Sequence, residues 1–170
     1  MKSASSALAA MPLLAALAFT SLPAQAQTAA PSATEMIEKL TPAPRTRSLR
    51  NLAVEAVAPP SLSLLIQFDF DSARVRPESR ESLVNLSLAM KSDKLLNAKF
   101  AIEGHTDAKG RADYNLRLSQ QRAEAVRAFL KAEGVDDTRL AATGKGSAEP
   151  ANKDDPMAAE NRRVRIVNLE

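Results

Sequence analysis

This chain of 170 residues has no cysteine, no tryptophan, one histidine (His105) and only five glycines. Without cysteine there is no disulfide, no thiol nucleophile and no thiolate ligand for zinc. Nor is there a cysteine to carry a lipid. A single histidine excludes a histidine-based metal cluster, and no metal and no cofactor are expected. Aromatic residues make up 4% of the chain, too few for a surface that stacks nucleic-acid bases. An excess of one charge is also missing: 23 Lys and Arg face 20 Asp and Glu, a formal +3. That small surplus favours an anionic polymer only weakly and does not point to nucleic acid. No G-x-S-x-G motif marks a serine hydrolase.

The start of the chain reads as an address. Lys2 is followed by an apolar run from Ala7 to Phe19 and then by Ala24-Gln25-Ala26. A positive start, an apolar middle and an A-x-A site describe a secretory signal peptide, residues 1–26. The run contains Pro12 and falls short of the roughly 20 residues a membrane-crossing helix needs. No integral membrane segment is therefore expected in a mature chain that begins at Gln27. Losing Lys2 leaves 22 basic against 20 acidic residues, or +2.

Residues 27–61 are rich in Ala, Pro, Thr and Ser. They hold one short helical candidate, Thr34–Leu40, and then an extended basic stretch from Thr41 to Arg47. One reading is a flexible linker. The other is a docking peptide, with Arg45, Arg47 and Arg50 meeting an acidic envelope protein or lipid head groups.

The remaining residues, 62–170, carry the pattern of a folded domain. Leu64, Ile66, Phe68 and Phe70 alternate with Leu65, Gln67 and Asp69, which predicts a strand with one apolar face. Asp71-Ser72 ends it, with Asp71 suited to the turn. Pro77 suits the first turn of a helix whose buried stripe is Leu83, Leu86 and Met90. A second strand runs from Ala98 to Glu103, and a long helix from Ala112 to Lys131 stops at Gly134. A third strand lies near Arg139–Thr143, a polar loop spans Gly144–Glu160, and Val164 and Ile166 mark a last strand. The order β-α-β-α-β-β predicts an α+β fold, a two-layer sandwich with both helices on one face of a mixed sheet.

The long helix has an unusual core-facing stripe. At about 100° per residue, Asn115, Ser119 and Arg122 fall in line with Val126 and Phe129. The stripe is polar in its first half and apolar in its second. Breaking a buried ion pair leaves an uncompensated charge at a cost of about 3–5 kcal/mol. Arg122 thus needs a carboxylate, from the protein or from a ligand. Asp107, in the preceding loop, is the nearest candidate. The alternatives are an ion pair made for stability alone, or a side chain that snorkels to the rim.

The motifs Gly104-His105-Thr106-Asp107, Asn115, Leu118-Ser119 with Arg122-Ala123, and Asn161-Arg162-Arg163-Val164 occur in order. Together they closely resemble the OmpA-like peptidoglycan-binding domain, over roughly residues 62–169. The resemblance implies the same two-layer fold and a periplasmic protein associated with the outer membrane. It also implies a pocket for diaminopimelate of the wall's stem peptides, with Asp107 and Arg122 clamping its amino-acid end and Asn115 lining the same pocket. The loop with Asp71 would form the pocket's edge. Chemistry fits that implication. Asp107 accepts hydrogen bonds from the ammonium, and the planar guanidinium of Arg122 holds the carboxylate with two prongs. Thr106 and Asn115 are expected to add neutral hydrogen bonds, and Arg162 to support the site. Peptidoglycan is the expected partner.

Some features stand apart from that reading. In place of the longer Gly- and Arg-containing turn usual in such domains, Asp154–Glu160 precedes Asn161, and its acids are expected close to Arg162. Asp69, Asp71 and Asp107 are the suspects if the chain were a wall hydrolase with a carboxylate pair. His105 is expected to shape the loop rather than act as a base. Gly144-Lys145-Gly146-Ser147 lacks the spacing of a phosphate loop.

Overall fold

A computed structural model describes residues 30–43 and 58–170. Residues 1–26, read as a signal peptide, and Arg45, Arg47 and Arg50 lie outside the described residues. Elements follow in the order α1 (Ala33–Leu40), β1 (Ser61–Leu64), α2 (Arg80–Met90), β2 (Phe100–His105), α3 (Ala112–Ala132), β3 (Leu140–Gly146) and β4 (Val164–Asn168). The four strands form one sheet in the order β1-β4-β2-β3. β2 and β3 are parallel, joined by α3 as a parallel pair requires. β4 is antiparallel to both β1 and β2. The fold is α+β with a mixed sheet, as the pattern of elements predicts.

Alternation selects the covered face. Leu62 and Leu64, Phe100 and Ile102, and Val164 and Ile166 are buried against Leu83, Leu86 and Met90 of α2 and Ala123, Val126 and Leu130 of α3. Helix α3 stops where Gly134 takes φ +88°, a conformation that suits glycine.

Two expectations are corrected. Part of the Ala- and Pro-rich segment read as linker is the third helix of the covering layer. Ser32 and Glu35 cap α1 reciprocally, and Met36 and Leu40 are fully buried in the core. Asn85 Nδ2 donates to the Pro31 carbonyl at 3.1 Å, and Asn168 Nδ2 to that of Leu40 at 2.9 Å. The helix itself is expected at Thr34–Leu40, but its burial is not, because the groove that receives it is built by distant residues.

The second correction concerns the first strand. β1 ends at Leu64, not Phe70. Beyond it Ile66 remains buried, but the Gln67 amide donates to Ser79 Oγ at 2.7 Å and Phe68 bridges to Val75. These contacts draw the chain into a small hairpin whose turn holds Asp71 at φ +50°. Phe70, predicted on the apolar face, is fully exposed at the tip.

Candidate ligand-binding site

The site lies where β2 runs into the loop of residues 106–111 and the first half of α3. Glycines set the distance between helix and sheet. A Cβ at Gly104 would stand 2.1 Å from the Ser119 carbonyl oxygen. One at Gly144 would stand 2.5 Å from the Gln120 amide nitrogen. The helix therefore rests on sheet backbone, and Ser119, fully buried, becomes a bridge. Its Oγ donates to the Leu116 carbonyl at 2.8 Å and accepts from the Gly146 amide at 2.9 Å. Gln120 Oε1 accepts from the Gly144 amide at 2.6 Å. Gly144 and Gly146, which superficially suggest a phosphate loop, are thus the seat of α3.

The loop itself is pinned from several sides. Asn115 Nδ2 donates to the carbonyls of Lys109 (3.0 Å) and Asp107 (3.3 Å). The Thr106 amide donates to the Gly146 carbonyl, and that of Ala108 to Pro156. Asn115 and Thr106 are both buried, and the Thr106 hydroxyl is shielded from solvent. The structure gives these two residues a part in shaping the loop.

Arg122 and Asp107 come to the same rim but do not pair. Asp107 is held by Arg162, whose Nη1 lies 2.8 Å from its carboxylate. Its other oxygen accepts from the Lys109 amide at 3.2 Å. Arg122 is half-buried; its Nε donates to the Ser72 carbonyl at 3.1 Å, and its guanidinium carbon stands 4.9 Å from the Phe68 ring centre. Among the described residues it forms no ion pair. Burial, and then the charge of Arg162, lower its affinity for its proton, while Asp107 and Asp71 act in the opposite sense. Four of the predicted residues therefore act on one another at this place. Asp71 reaches it from the hairpin, its carboxylate accepting a hydrogen bond from the Tyr114 hydroxyl.

Beside the rim, the ladder of β1 and β4 ends at Leu64 and Val164 and the two chains part. The opening is a cleft of about 400 Å³ lined by residues 65–68, Arg76, Arg122 and Ala159–Arg162 without Asn161. Of the acids expected near Arg162, Glu160 lines the cleft and accepts from Asn152 Nδ2 at 2.6 Å. Asp155 instead accepts the Met157 amide inside its own loop, and Asp154 forms no ion pair with Arg162.

Behind the loop, on the sheet face away from the helices, sits a second group of charges. Glu103 lies 3.5 Å from Lys145 Nζ, 3.6 Å from Arg165 and 3.9 Å from His105 Nε2. Arg163 is buried there, its Nη2 donating to the Glu149 carbonyl at 3.1 Å. Arg162 and Arg163, adjacent in the chain, thus serve opposite sides. His105 is buried with neither ring nitrogen hydrogen-bonded, and its pKa is pushed down to about 4. Burial is the main cause, followed by the charge of Arg163.

Sequence reasoning missed Ser72, Phe68, Tyr114 and Arg76. The first acts through its backbone, which no side-chain pattern reveals. The others are brought in by the hairpin and the parting of the strands. No helix among the described residues is long and apolar enough to cross a membrane.

This chain is similar to Outer membrane protein A of Bordetella avium, 37% identical over 101 residues, which is 58% of this chain and 51% of that protein. A solved structure of the peptidoglycan-associated lipoprotein from Burkholderia pseudomallei shares 36% identity, with a TM-score of 0.54 over 63% of this chain and 89% of that one. The cell wall anchor of the T6SS from Pseudomonas aeruginosa shares 30% identity, with a TM-score of 0.53 over 65% of this chain and 81% of that one. The chain spans about half or less of the length of curated relatives it matches, 51%, 47% and 32% in three of them. The OmpA family model matches residues 67–164, more than half of the sequence, and the chain belongs to the OmpA family.

Proposed function

We propose that this protein binds peptidoglycan without catalysing a reaction and serves to anchor or position itself at the cell envelope. It is read as periplasmic, exported by residues 1–26 and peripheral to the outer membrane. The names of its relatives, a peptidoglycan-associated lipoprotein and a cell wall anchor, support the polymer and the anchoring role. An anchor subunit of a larger envelope assembly is a form of the same function.

The observation that carries the reading is Arg122. It is a half-buried guanidinium with no carboxylate of its own, beside two carboxylates, Asp107 and Asp71, that feel its charge. A group carrying an ammonium and a carboxylate on one carbon satisfies both. Its carboxylate takes the prongs of Arg122 left free by Ser72, and its ammonium lies toward Asp107 and Asp71. Diaminopimelate of a stem peptide offers that group. Arg162, 2.8 Å away, holds Asp107 in place for the purpose.

The test is co-sedimentation of the full chain with insoluble peptidoglycan. Hydrogen bonds to charged groups are worth about 1.5–3 kcal/mol, so Arg122→Ala and Asp107→Ala should each weaken binding roughly tenfold or more. Both variants should keep the parent's circular-dichroism spectrum. Unfolding of Arg122→Ala would make the arginine a structural residue. Release of soluble muropeptides by the pure protein would replace a binding function with a hydrolytic one.

A further inference from the structure

The zwitterion clamp occupies only one end of the opening around Arg122. The cleft beside it remains, and its origin explains its shape. β1 and β4 are paired from Ser61–Val167 to Leu64–Val164. One residue further they separate, because the Gln67 amide goes to Ser79 Oγ and the Gln67 carbonyl accepts from the Arg76 amide at 2.9 Å. On the other side, the Arg162 amide turns back to the Ala159 carbonyl at 3.0 Å. The segment 65–68 on one side and the 3-10 turn Ala159–Asn161 on the other thus flank a slot of about 400 Å³. A slot between parted strands suits an extended peptide.

Its charge is unequal. Arg76, Arg122 and Arg162 line it against a single carboxylate, Glu160, which already accepts from Asn152. Arg162 is neutralised by Asp107 at 2.8 Å. Arg76 has only a loose contact to Glu78, 3.4 Å, with both side chains nearly half exposed. Exposed pairs of that kind contribute little. Once a ligand carboxylate occupies Arg122, Arg76 is the cation of the slot left with the weakest partner.

We infer that this slot is a second subsite, which takes the extended peptide leading away from the clamped zwitterion, and that Arg76 holds a free carboxylate on it. The inference rests on the clamp reading. It makes the ligand a doubly anionic peptide and Arg76 a specificity residue, since a planar fork rewards a free carboxylate and gains little from a neutral amide.

The experiment uses two short synthetic peptides that contain diaminopimelate. They differ only in whether the residue preceding it carries a free or an amidated carboxyl group. Affinities for the full chain are measured by titration calorimetry, with the parent compared to Arg76→Gln and Arg74→Gln. Arg74 is exposed and lies outside the lining of the slot. The parent should bind the free acid roughly tenfold more tightly than the amide. Arg76→Gln should remove most of that ratio while still binding both peptides, and Arg74→Gln should keep it. Equal affinity of the parent for both peptides, with binding still lost in Arg122→Ala, would overturn the subsite and leave the clamp standing. Equal loss of the ratio in both variants would reduce the effect to general charge and overturn the role of Arg76. Failure of both peptides to bind the parent would sink the clamp and the subsite together.

Discussion

The two faces of the sheet approach the site with different physics. On the covered face, shape decides. Gly104 and Gly144 let α3 touch backbone, Ser119 and Gln120 satisfy the amides exposed by that contact, and Arg122 is carried to the rim by helix geometry. On the opposite face, charge decides. Glu103 gathers Lys145, Arg165 and His105, and Arg163 is buried beside them. The loop of residues 106–111 is continuous with both, since it follows His105 and its carbonyls are held by Asn115. Steric constraint fixes position to fractions of an ångström and is indifferent to pH. A charge cluster is adjustable, and it responds to protonation.

The covered face should break first and hardest. Gly104→Ala sets a methyl group against the Ser119 carbonyl, where backbone rather than a flexible side chain must move. Overpacking typically costs about 1–3 kcal/mol, and the upper end is expected here because backbone cannot yield. Urea denaturation should show that loss, and peptidoglycan binding should fall with it because Arg122 shifts with α3. Normal stability in this variant would mean that helix and sheet are not locked together as described.

On the opposite face the expected effect is a pH dependence. The folded pKa of His105 is about 4 against 6.5 for the free side chain, so the unfolded state binds its proton more readily. Above pH 6.5 the residue contributes no pH dependence. Between pH 6.5 and 4 stability falls as pH falls, by up to about 3 kcal/mol, and then levels. Glu103, Lys145, Glu149, Arg163 and Arg165 surround the ring, and their charges shape the curve. Denaturation midpoints for the parent and His105→Gln should diverge over this window, the variant being flatter. Parallel curves would remove the histidine from the account.

The smallest effect sharpens the join between the two faces. Asn115→Ala leaves the carbonyls of Asp107 and Lys109 without their donor, at a cost of about 1–2 kcal/mol. Peptidoglycan affinity should weaken modestly, since Asp107 keeps Arg162 but loses the floor of its loop. A loss as large as that from Arg122→Ala would instead give Asn115 direct contact with the ligand.

Particular residues show how far the sequence reaches. The helical stripe from Asn115 to Val126 can be read from spacing alone, because rotation per residue is a local property of the helix. Asn115 and Ser119 are buried and Arg122 half-buried, in that order along the chain. The strands at Phe100, Ile102, Val164 and Ile166 follow from alternation for the same reason. Phe70 misleads, because its alternation continues a pattern that the Phe68–Val75 bridge has already ended. The helix at Thr34–Leu40 is legible, but two apolar residues, Met36 and Leu40, do not by themselves reveal that it packs into the core.

By itself, then, the sequence determined most element types, the covered face, the family and a short list of candidate site residues. These depend on local periodicity and on motifs whose members sit close together in the chain. Only the tertiary structure decided that Asp107 pairs with Arg162 and leaves Arg122 free, 55 residues separating the two partners of that pair. It alone sent Arg162 and Arg163 to opposite sides and opened a cleft where β1 and β4 part. Those outcomes depend on which distant backbones meet, and spacing along the chain holds no record of distances across it.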